Sequence, residues 1–242
     1  RWIKKETNFT HDLCTVAARD LITNLDWDSS SIDCVIFITQ THSKIMPAEA
    51  CIIQSELNIP EASLAFDINL GCSGYAYGCM LANSLINTGL NRILVLAGET
   101  PSRIIDPYDK ATSLLFGDAG TATAIEKSLN NDESTFLFGT DGIGKDHIQC
   151  ANNGFLKMNG ADVFSFTLDT VPKLITKLDN TLGKEHDFYL LHQANAFMLK
   201  HLIRKTGIEK ERFPININKF GNVSSASIPL LITSELKNVI ME

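Results

Sequence analysis

The sequence lacks the features that direct a protein to nucleic acid or into a membrane. Its 242 residues contain no block rich in lysine or arginine, and the formal net charge is −7. This balance argues against nucleic acid or an anionic membrane as the main partner. No uncharged apolar run approaches membrane-spanning length, and the first residues, RWIKKE, do not form a signal peptide. We therefore expect a cytoplasmic protein.

A disulfide framework is also missing from the pattern. The six cysteines, at positions 14, 34, 51, 72, 79 and 150, form no C-x-x-C pair and have no regular spacing. Disulfide-rich domains and zinc sites both show such spacing. We therefore expect six reduced thiols and no metal site.

The remaining pattern is that of an ordinary folded protein, with 44% hydrophobic and 20% charged residues. The length suits one large domain or two small ones. Apolar runs and periodicities predict strands at 32–39, 64–70, 92–97, 188–191 and 214–218, and a β-rich run that ends near 125. Helical patterns cover 10–24, 47–57, the segment after Cys72, 163–182, a stretch ending at 206, and 225–238. Alternating strands and helices indicate an α/β fold with mainly parallel sheets.

Two observations suggest that the chain has two halves. The most polar stretch, Asn130–Ser134, predicts an internal boundary, which divides the chain into 1–129 and 130–242. Residues 66–73 also resemble 215–224, because each has an alternating strand end, then glycine, a polar residue and a helix of small residues. A duplicated unit would place Cys72 and Asn222 at equivalent corners of the halves. The match is short, so chance similarity stays an alternative.

Cys72 is the first candidate for chemistry. It follows an apolar run and a tight turn, and it precedes a long helix without a charge, so we place it at the first turn of a buried helix. Unpaired N–H groups and the positive end of the helix dipole favour a thiolate there. The alternative is a packed core cysteine, since free cysteine is among the most buried residue types.

His192 and Asn222 are two further candidates at predicted strand ends. His192 follows an apolar strand and precedes a helix, where α/β enzymes place reacting groups. Alone, it could be a structural hydrogen-bonding residue, and Asn222 could merely cap the last helix. Together with Cys72 they form a set in which an imidazole and an amide could hydrogen-bond one carbonyl oxygen. That set suits an acyl-thioester intermediate followed by enolate chemistry.

Three ordered segments resemble the signature segments of β-ketoacyl-acyl-carrier-protein synthase III: GCSG around Cys72, HQAN from His192, and GNVSSASIP around Asn222. The turn FGDAG at 116–120 and the run from Met46 to Gln54 match in order, so the resemblance covers essentially the whole chain. It implies the thiolase fold of two similar α/β halves in αβαβα layers, with the active site where the halves meet. It also implies a homodimer in which Met46 lines the acyl pocket across the interface.

The resemblance implies a two-stage acyltransferase of fatty acid or related biosynthesis. Cys72 attacks an acyl thioester, acyl-coenzyme A, and a malonyl thioester on acyl carrier protein then loses carbon dioxide. His192 and Asn222 hydrogen-bond the enolate that condenses with the acyl group, and no metal or redox cofactor is required. The alternatives are acyl transfer to an alcohol or amine without decarboxylation, and a non-catalytic partner of a heterodimer.

The chain also departs from the family pattern. It starts after the first strand of the family and ends before the last strands, so we expect either a fragment or a partly given chain. Phe197 occupies a position where relatives often have an arginine that docks the carrier. Lys200, Arg204 and Lys205 follow on the same predicted helix. Because Phe197, Lys200 and Arg204 share one helix face, they are either a shifted docking patch or an ordinary solvated face.

Overall fold

The structure is a computed structural model that describes Ile3 and residues 8–129, 134–151 and 154–237. Its helices are α1 Thr10–Asn24, α2 Glu49–Glu56, α3 Gly74–Asn87, α4 Lys110–Ser113, α5 Gly160–Leu182, α6 Ala196–Thr206, α7 Ile217–Phe220 and α8 Ser227–Glu235. Its strands are β1 Cys34–Ile38, β2 Leu64–Ile68, β3 Arg92–Glu99, β4 Ala119–Glu126, β5 Ile148–Gln149 and β6 Lys157–Met158.

Four strands form the main sheet, in the order β2-β1-β3-β4. Strand β1 pairs in parallel with both β2 and β3, as the apolar runs predict. Strand β4 is antiparallel to β3, so the sheet is mixed. Strands β5 and β6 form a separate antiparallel pair. Because β1, β2 and β3 run in the same direction, their carboxyl ends meet at one edge of the main sheet.

The centre of the sheet is buried on both faces because alternate side chains of each strand point in opposite directions. Val35 and Phe37 of β1 pack with α1 and α2, in a cluster that includes Ala18 and Ile53. Cys34, Ile36 and Ile38 lie on the other face, in a cluster with Tyr75 and Ala82 of α3 and with Ile228 of α8. Helices α3 and α8 therefore pack on the same face of the sheet. Both have apolar stretches without a charged residue.

Two predicted strands are wrong. Residues 188–191 have no strand assignment, and residues 214–218 lead into the short helix α7. Their backbone donors reach other partners, since Tyr189 N bonds the carbonyl of Arg212 at 2.8 Å and Asn216 N bonds the side chain of Gln193 at 3.2 Å. Their apolar residues instead contribute to a small cluster. It consists of Tyr189, Ile203 and Phe213 with Ile175, Leu191, Ile208 and Ile215 packed against it.

The predicted boundary between two halves falls on a gap in the description. Residues 130–133 of the polar stretch Asn130–Ser134 lie outside the described residues. The division into 1–129 and 130–242 therefore stays a prediction. On the far side of this gap, α5 is a helix of 23 residues with Pro172 inside it, as the periodicity of 163–182 predicts.

Candidate active site

The turn that carries Cys72 connects β2 to α3 at the carboxyl edge of the sheet. Helix α3 begins at Gly74 and has Ser73 as its N-cap, so Cys72 lies just before the helix and not in its first turn as predicted. The turn is closed by a bond from Gly74 N to the carbonyl of Gly71 at 2.8 Å. A Cβ at position 71 would lie 2.5 Å from Oε1 of Gln40, so a larger residue there would displace the Gln40 side chain.

The thiol of Cys72 is unusually acidic. Desolvation is the largest single influence and raises the pKa of the thiol. The positive charge of His192 and its hydrogen bond to the sulfur, the Ser224 hydroxyl and the backbone N–H of Cys72 itself outweigh desolvation and lower the pKa from 9.0 to about 7. The residue is nevertheless exposed to solvent. An accessible sulfur that is partly thiolate at neutral pH is a competent nucleophile.

Other cysteines differ from Cys72 in their surroundings, although all six are free thiols. Desolvation raises the pKa of Cys14 and of Cys34 to about 12, and both residues are buried. It also raises the pKa of Cys79 and of Cys150. That these thiols are reduced stays a prediction, and the packed-core alternative describes Cys14 and Cys34 but not Cys72.

His192 lies in the loop that leads to α6. Desolvation lowers the pKa of its imidazole, but the negative sulfur of Cys72 and the hydrogen bond to it raise the pKa above 6.5. The two groups therefore favour a thiolate–imidazolium pair. Within the part of the chain that the structure describes, Nδ1 of His192 is buried and has no hydrogen-bond partner. That nitrogen is the kind of unsatisfied buried group that a bound substrate can engage.

Gln193 fixes the loop that carries His192. It is 1% exposed, and its side chain uses both ends, with Nε2 donating to Leu191 O at 2.9 Å and Oε1 accepting from Asn216 N at 3.2 Å. Asn195 then caps α6 by accepting from Met198 N at 2.7 Å. The first two polar residues after His192 along the chain thus hold the loop, which leaves the imidazole to face Cys72.

Asn222 lies in the segment before α8, two positions before Ser224. Gly221, at φ +76°, precedes it, and a Cβ there would lie 2.9 Å from Leu115 O. Two backbone bonds, from Asn222 N to Leu115 O and from Gly117 N to Asn222 O, attach the residue to the predicted turn at 116–120. The side-chain oxygen accepts from Ser224 N at 2.9 Å, which leaves the NH₂ group as the donor of this amide.

Ser224 joins the Asn222 segment to the nucleophile. Its hydroxyl lies 3.8 Å from Sγ of Cys72, and its backbone has φ +48°. The neighbouring Ser225 is buried and donates to Gly98 O of β3 at 3.2 Å. The sequence places both serines in the GNVSSASIP segment but predicts no role for either. Only the resemblance of their segment to a site motif pointed to them.

The comparisons with known proteins agree with this geometry. The sequence profile of 3-oxoacyl-[acyl-carrier-protein (ACP)] synthase III matches residues 66–142, and the profile of its C-terminal part matches residues 179–240. Beta-ketoacyl-[acyl-carrier-protein] synthase III of Clostridium botulinum is 32% identical over 251 residues, which cover 96% of this chain and 76% of the relative. This chain belongs to the 3-oxoacyl-[acyl-carrier-protein] synthase III family.

Solved structures of this family share the fold. A 3-oxoacyl-(acyl-carrier protein) synthase from Burkholderia xenovorans LB400 superposes with a TM-score of 0.94 at 42% identity, over 100% of this chain and 75% of that one. A synthase III from Thermus thermophilus gives a TM-score of 0.92 at 28% identity, over 99% and 79% of the two chains. The predicted thiolase-like α/β fold and the predicted family are confirmed. As a member of the synthase III family, the chain is a condensing acyltransferase of fatty acid biosynthesis.

The sequence also singles out Met46 and one face of α6. Met46 is 78% exposed in the loop between β1 and α2, and its predicted place in an acyl pocket stays a prediction. Phe197 is 62% exposed on α6 and stacks on Phe164 at 5.4 Å. Lys200 and Arg204 are exposed on the same helix, whereas Nζ of Lys205 donates to Leu168 O at 2.7 Å. Docking of a carrier protein at this face of α6 likewise stays a prediction.

The described residues of this synthase include neither a candidate metal site nor a candidate membrane-spanning helix. No three histidine, cysteine, aspartate or glutamate side chains among them come together as a group that could hold a metal ion. No helix among them is both long and apolar enough to cross a membrane.

Proposed function

We propose that this protein catalyses a decarboxylative condensation of an acyl thioester with a malonyl thioester through an acyl-Cys72 intermediate. The acyl donor is acyl-coenzyme A and the extender is malonyl-acyl carrier protein, since acyl carrier protein is part of the names of its relatives. The observation that carries the proposal is the accessible Cys72 thiol, whose pKa of about 7 results from its pairing with His192 and Ser224.

In the first stage, the Cys72 thiolate forms a bond to the acyl carbon, and the bond from that carbon to the sulfur of coenzyme A breaks. The leaving thiolate takes a proton from solvent. The backbone N–H of Cys72, which already interacts with the sulfur, is placed to donate to the oxygen of the tetrahedral intermediate. After this step, the sulfur is neutral, so His192 loses the negative partner that raises its pKa.

In the second stage, a malonyl thioester loses carbon dioxide, and the electron pair of the broken carbon–carbon bond stays on the α-carbon as an enolate. His192 and the NH₂ group of Asn222 donate to the enolate oxygen. A neutral acyl-sulfur favours this role, because His192 no longer faces a thiolate. The α-carbon then bonds to the acyl carbon, Cys72 leaves as thiolate, and the β-ketoacyl product departs on its carrier. The protein residues supply every group of this scheme, so we propose that no metal or redox cofactor takes part.

The test separates the two stages. The protein is incubated with a panel of acyl-coenzyme A thioesters, and the mass gained by the peptide containing Cys72 identifies the acyl group that loads. Malonyl-acyl carrier protein labelled in its free carboxyl group is then added, and labelled carbon dioxide and the β-ketoacyl product are measured. Cys72→Ala is the control and should neither load nor condense.

Three outcomes contradict the proposal in different ways. Loading followed by transfer to an alcohol or amine, with no carbon dioxide released, identifies the protein as an acyltransferase of another reaction type. An absence of loading with every thioester supports a non-catalytic partner. Loading on another cysteine removes Cys72 from its role. We also propose that the active protein is a homodimer, which size-exclusion chromatography with light scattering can test.

A further inference from the structure

Glu99, the last residue of β3, is a buried carboxyl that the proposed mechanism does not use. Only 2% of its surface is exposed. A carboxylate in such a position is costly unless several donors surround it. The hydrogen-bond donors around Glu99 therefore indicate its structural role.

Three consecutive residues after β1 converge on this carboxyl. The hydroxyls of Thr41 and Thr39 donate to Oε2 at 2.7 and 3.2 Å, and the backbone N–H of Gln40 donates to Oε1 at 3.0 Å. Thr100 N donates in turn to the Thr41 hydroxyl at 2.8 Å. The carboxyl thus fixes the backbone of the Thr39–Thr41 segment against the end of β3.

The Thr39–Thr41 segment is in turn packed on the turn of the nucleophile. The side-chain oxygen of Gln40 lies over Gly71, where a Cβ would be 2.5 Å from it and 3.3 Å from Oγ of Ser224. On the other side, Ser225 donates to Gly98 O, immediately before Glu99 in β3. Glu99 therefore lies behind the site, in contact with residues that touch both the Cys72 turn and the Ser224 segment.

The charge of Glu99 depends on its surroundings and on Cys72. Desolvation raises the pKa of the carboxyl from 4.5 to about 7, and the negative sulfur of Cys72 also raises it. The bonds from Thr41, Gln40 and Thr39 lower it. The electrostatic effect is mutual, since two negative groups that repel each other each raise the pKa of the other.

Other titratable groups also face this carboxyl. Cys14 of α1 packs against Gly98, beside Glu99, and His42 follows the Thr39–Thr41 segment; the charge of Glu99 raises the pKa of both groups. Glu49 of α2 has the same effect on both. The hydrogen bond with Asp67 is the largest influence that raises the pKa of His42, and Nε2 of His42 lies 3.4 Å from Oδ2 of Asp67.

We propose that Glu99 is a positioning residue for Cys72, which holds the Thr39–Thr41 segment against the nucleophile turn and exchanges a proton with solvent as the sulfur gains or loses its negative charge. While the sulfur is a thiolate, Glu99 binds a proton and is neutral. When an acyl group neutralises the sulfur, the carboxyl releases that proton to water. The proton release on acylation rests on the proposed function. The repulsion between Glu99 and the Cys72 thiolate requires only the thiol.

The experiment follows the rate at which iodoacetamide alkylates Cys72 as a function of pH, read by mass spectrometry of the peptide that contains it. In Glu99→Gln, the side chain keeps its shape and cannot become negative, so we expect the midpoint to move to lower pH by on the order of one unit. The rise of the alkylation rate with pH should also span a narrower pH range, because Cys72 then titrates without a coupled carboxyl at position 99. Glu49→Gln is the matched control, since it removes another buried carboxyl, one that contacts Ser43 and His11 instead.

A second variant keeps the proposal testable if Glu99→Gln does not fold. Thr41→Val removes a hydroxyl that lowers the pKa of Glu99, so the carboxyl stays neutral to higher pH and the Cys72 midpoint should again fall. An unchanged midpoint in the folded variants overturns the proposal, as does an equal shift in Glu49→Gln. Because alkylation needs no thioester, a shifted midpoint in a protein that fails to load acyl groups contradicts the proposed function and supports this inference.

Discussion

The Sγ atom of Cys72 lies 3.8 Å from the Oγ atom of Ser224, although 152 positions separate the two residues along the chain. Ser224 N in turn donates to Oδ1 of Asn222 at 2.9 Å. A single serine therefore contacts the nucleophile with its side chain and orients the amide with its backbone. The acidity of the thiol and the position of Asn222 depend on the same residue.

The first prediction concerns the selectivity of alkylation. Near pH 7.5, about half a unit above the pKa of Cys72, iodoacetamide should label Cys72 before the other cysteines, because the thiolate is the reactive form. Cys14 and Cys34 should stay unlabelled in the folded protein, since they are buried and desolvation raises the pKa of each to about 12. Peptide mapping after a short incubation is the measurement. Faster labelling of Cys51 or Cys79 would contradict the assignment of the nucleophile.

The second prediction separates the two neighbouring serines. Ser224→Ala removes a hydrogen bond that lowers the pKa of Cys72, so the midpoint of its alkylation profile should rise. Ser225→Ala instead leaves the carbonyl of Gly98 without its partner and should cost about 1–3 kcal/mol of unfolding free energy. Its alkylation midpoint should remain that of the unmutated protein. The reverse pattern would mean that Ser224 is structural and that Ser225 acts on the thiol.

The third prediction tests the roles of His192 and Asn222. Asn222→Ala should retain acyl loading on Cys72, because Asn222 is proposed to donate only to the enolate. Malonyl decarboxylation should fall by about 10²–10³, the usual loss for one such donor. His192→Ala should affect both stages, since it also removes the charge that lowers the pKa of Cys72. An equal loss of both stages in Asn222→Ala would indicate a structural role, consistent with the bond that its side-chain oxygen accepts from Ser224 N.

The fourth prediction links Glu99 to the pH dependence of stability. Its pKa is raised from 4.5 to about 7 in the folded state, so the folded protein binds this proton more tightly than the unfolded chain. The resulting stability is fully present below pH 4.5 and is lost as the pH rises through 7. Glu99→Gln does not lose stability in this way. The Tm of the variant minus the Tm of the unmutated protein should therefore increase as the pH rises from about 5 to about 8. A difference in Tm that does not depend on pH would argue against a raised pKa.

The fifth prediction concerns the exposed face of α6. If the carrier docks there, Lys200→Glu/Arg204→Glu should slow transfer from malonyl-acyl carrier protein, leave loading from acyl-coenzyme A nearly intact, and lose its effect as salt is raised. Lys127→Glu/Lys184→Glu is a matched control with the same change in net charge. Lys127 follows β4 at the end of the sheet away from the Cys72 turn, and Lys127 and Lys184 line one cavity of about 1180 Å³. If both double variants leave both half-reactions unchanged, α6 does not bind the carrier.

How much could be predicted from sequence depends on whether the signal is local. The periodicity of 10–24 gives both ends of α1, because an amphipathic helix is encoded in its own residues. Residues 188–191 and 214–218 show equally apolar patterns but form no strands, since a strand also requires a neighbour that receives its hydrogen bonds.

The site shows the same division. The sequence singles out Cys72, His192 and Asn222 by their places at predicted strand ends and by the resemblance of their segments to family motifs, and the structure brings Cys72 and His192 into contact. Ser224 lay inside a quoted motif without a role. Glu99 left one signal, a charged residue at the end of an apolar run, but its contacts with Thr39 and Thr41 span 60 and 58 positions. No local pattern encodes such contacts.

The side chain of Gln193, buried and bonded at both ends, has a consequence for the motions of the protein. Its bond to Asn216 ties the loop of His192 to the segment before α7, so an opening that moves the loop away from that segment must break this bond. Such an opening would take His192 away from Cys72, and the pKa of the thiol would return toward 9.0. Gln193→Ala should therefore raise the rate of amide hydrogen exchange in the 191–199 segment while it slows thiol alkylation at neutral pH. The alkylation rate of Cys72 would then report how often the loop of His192 is open.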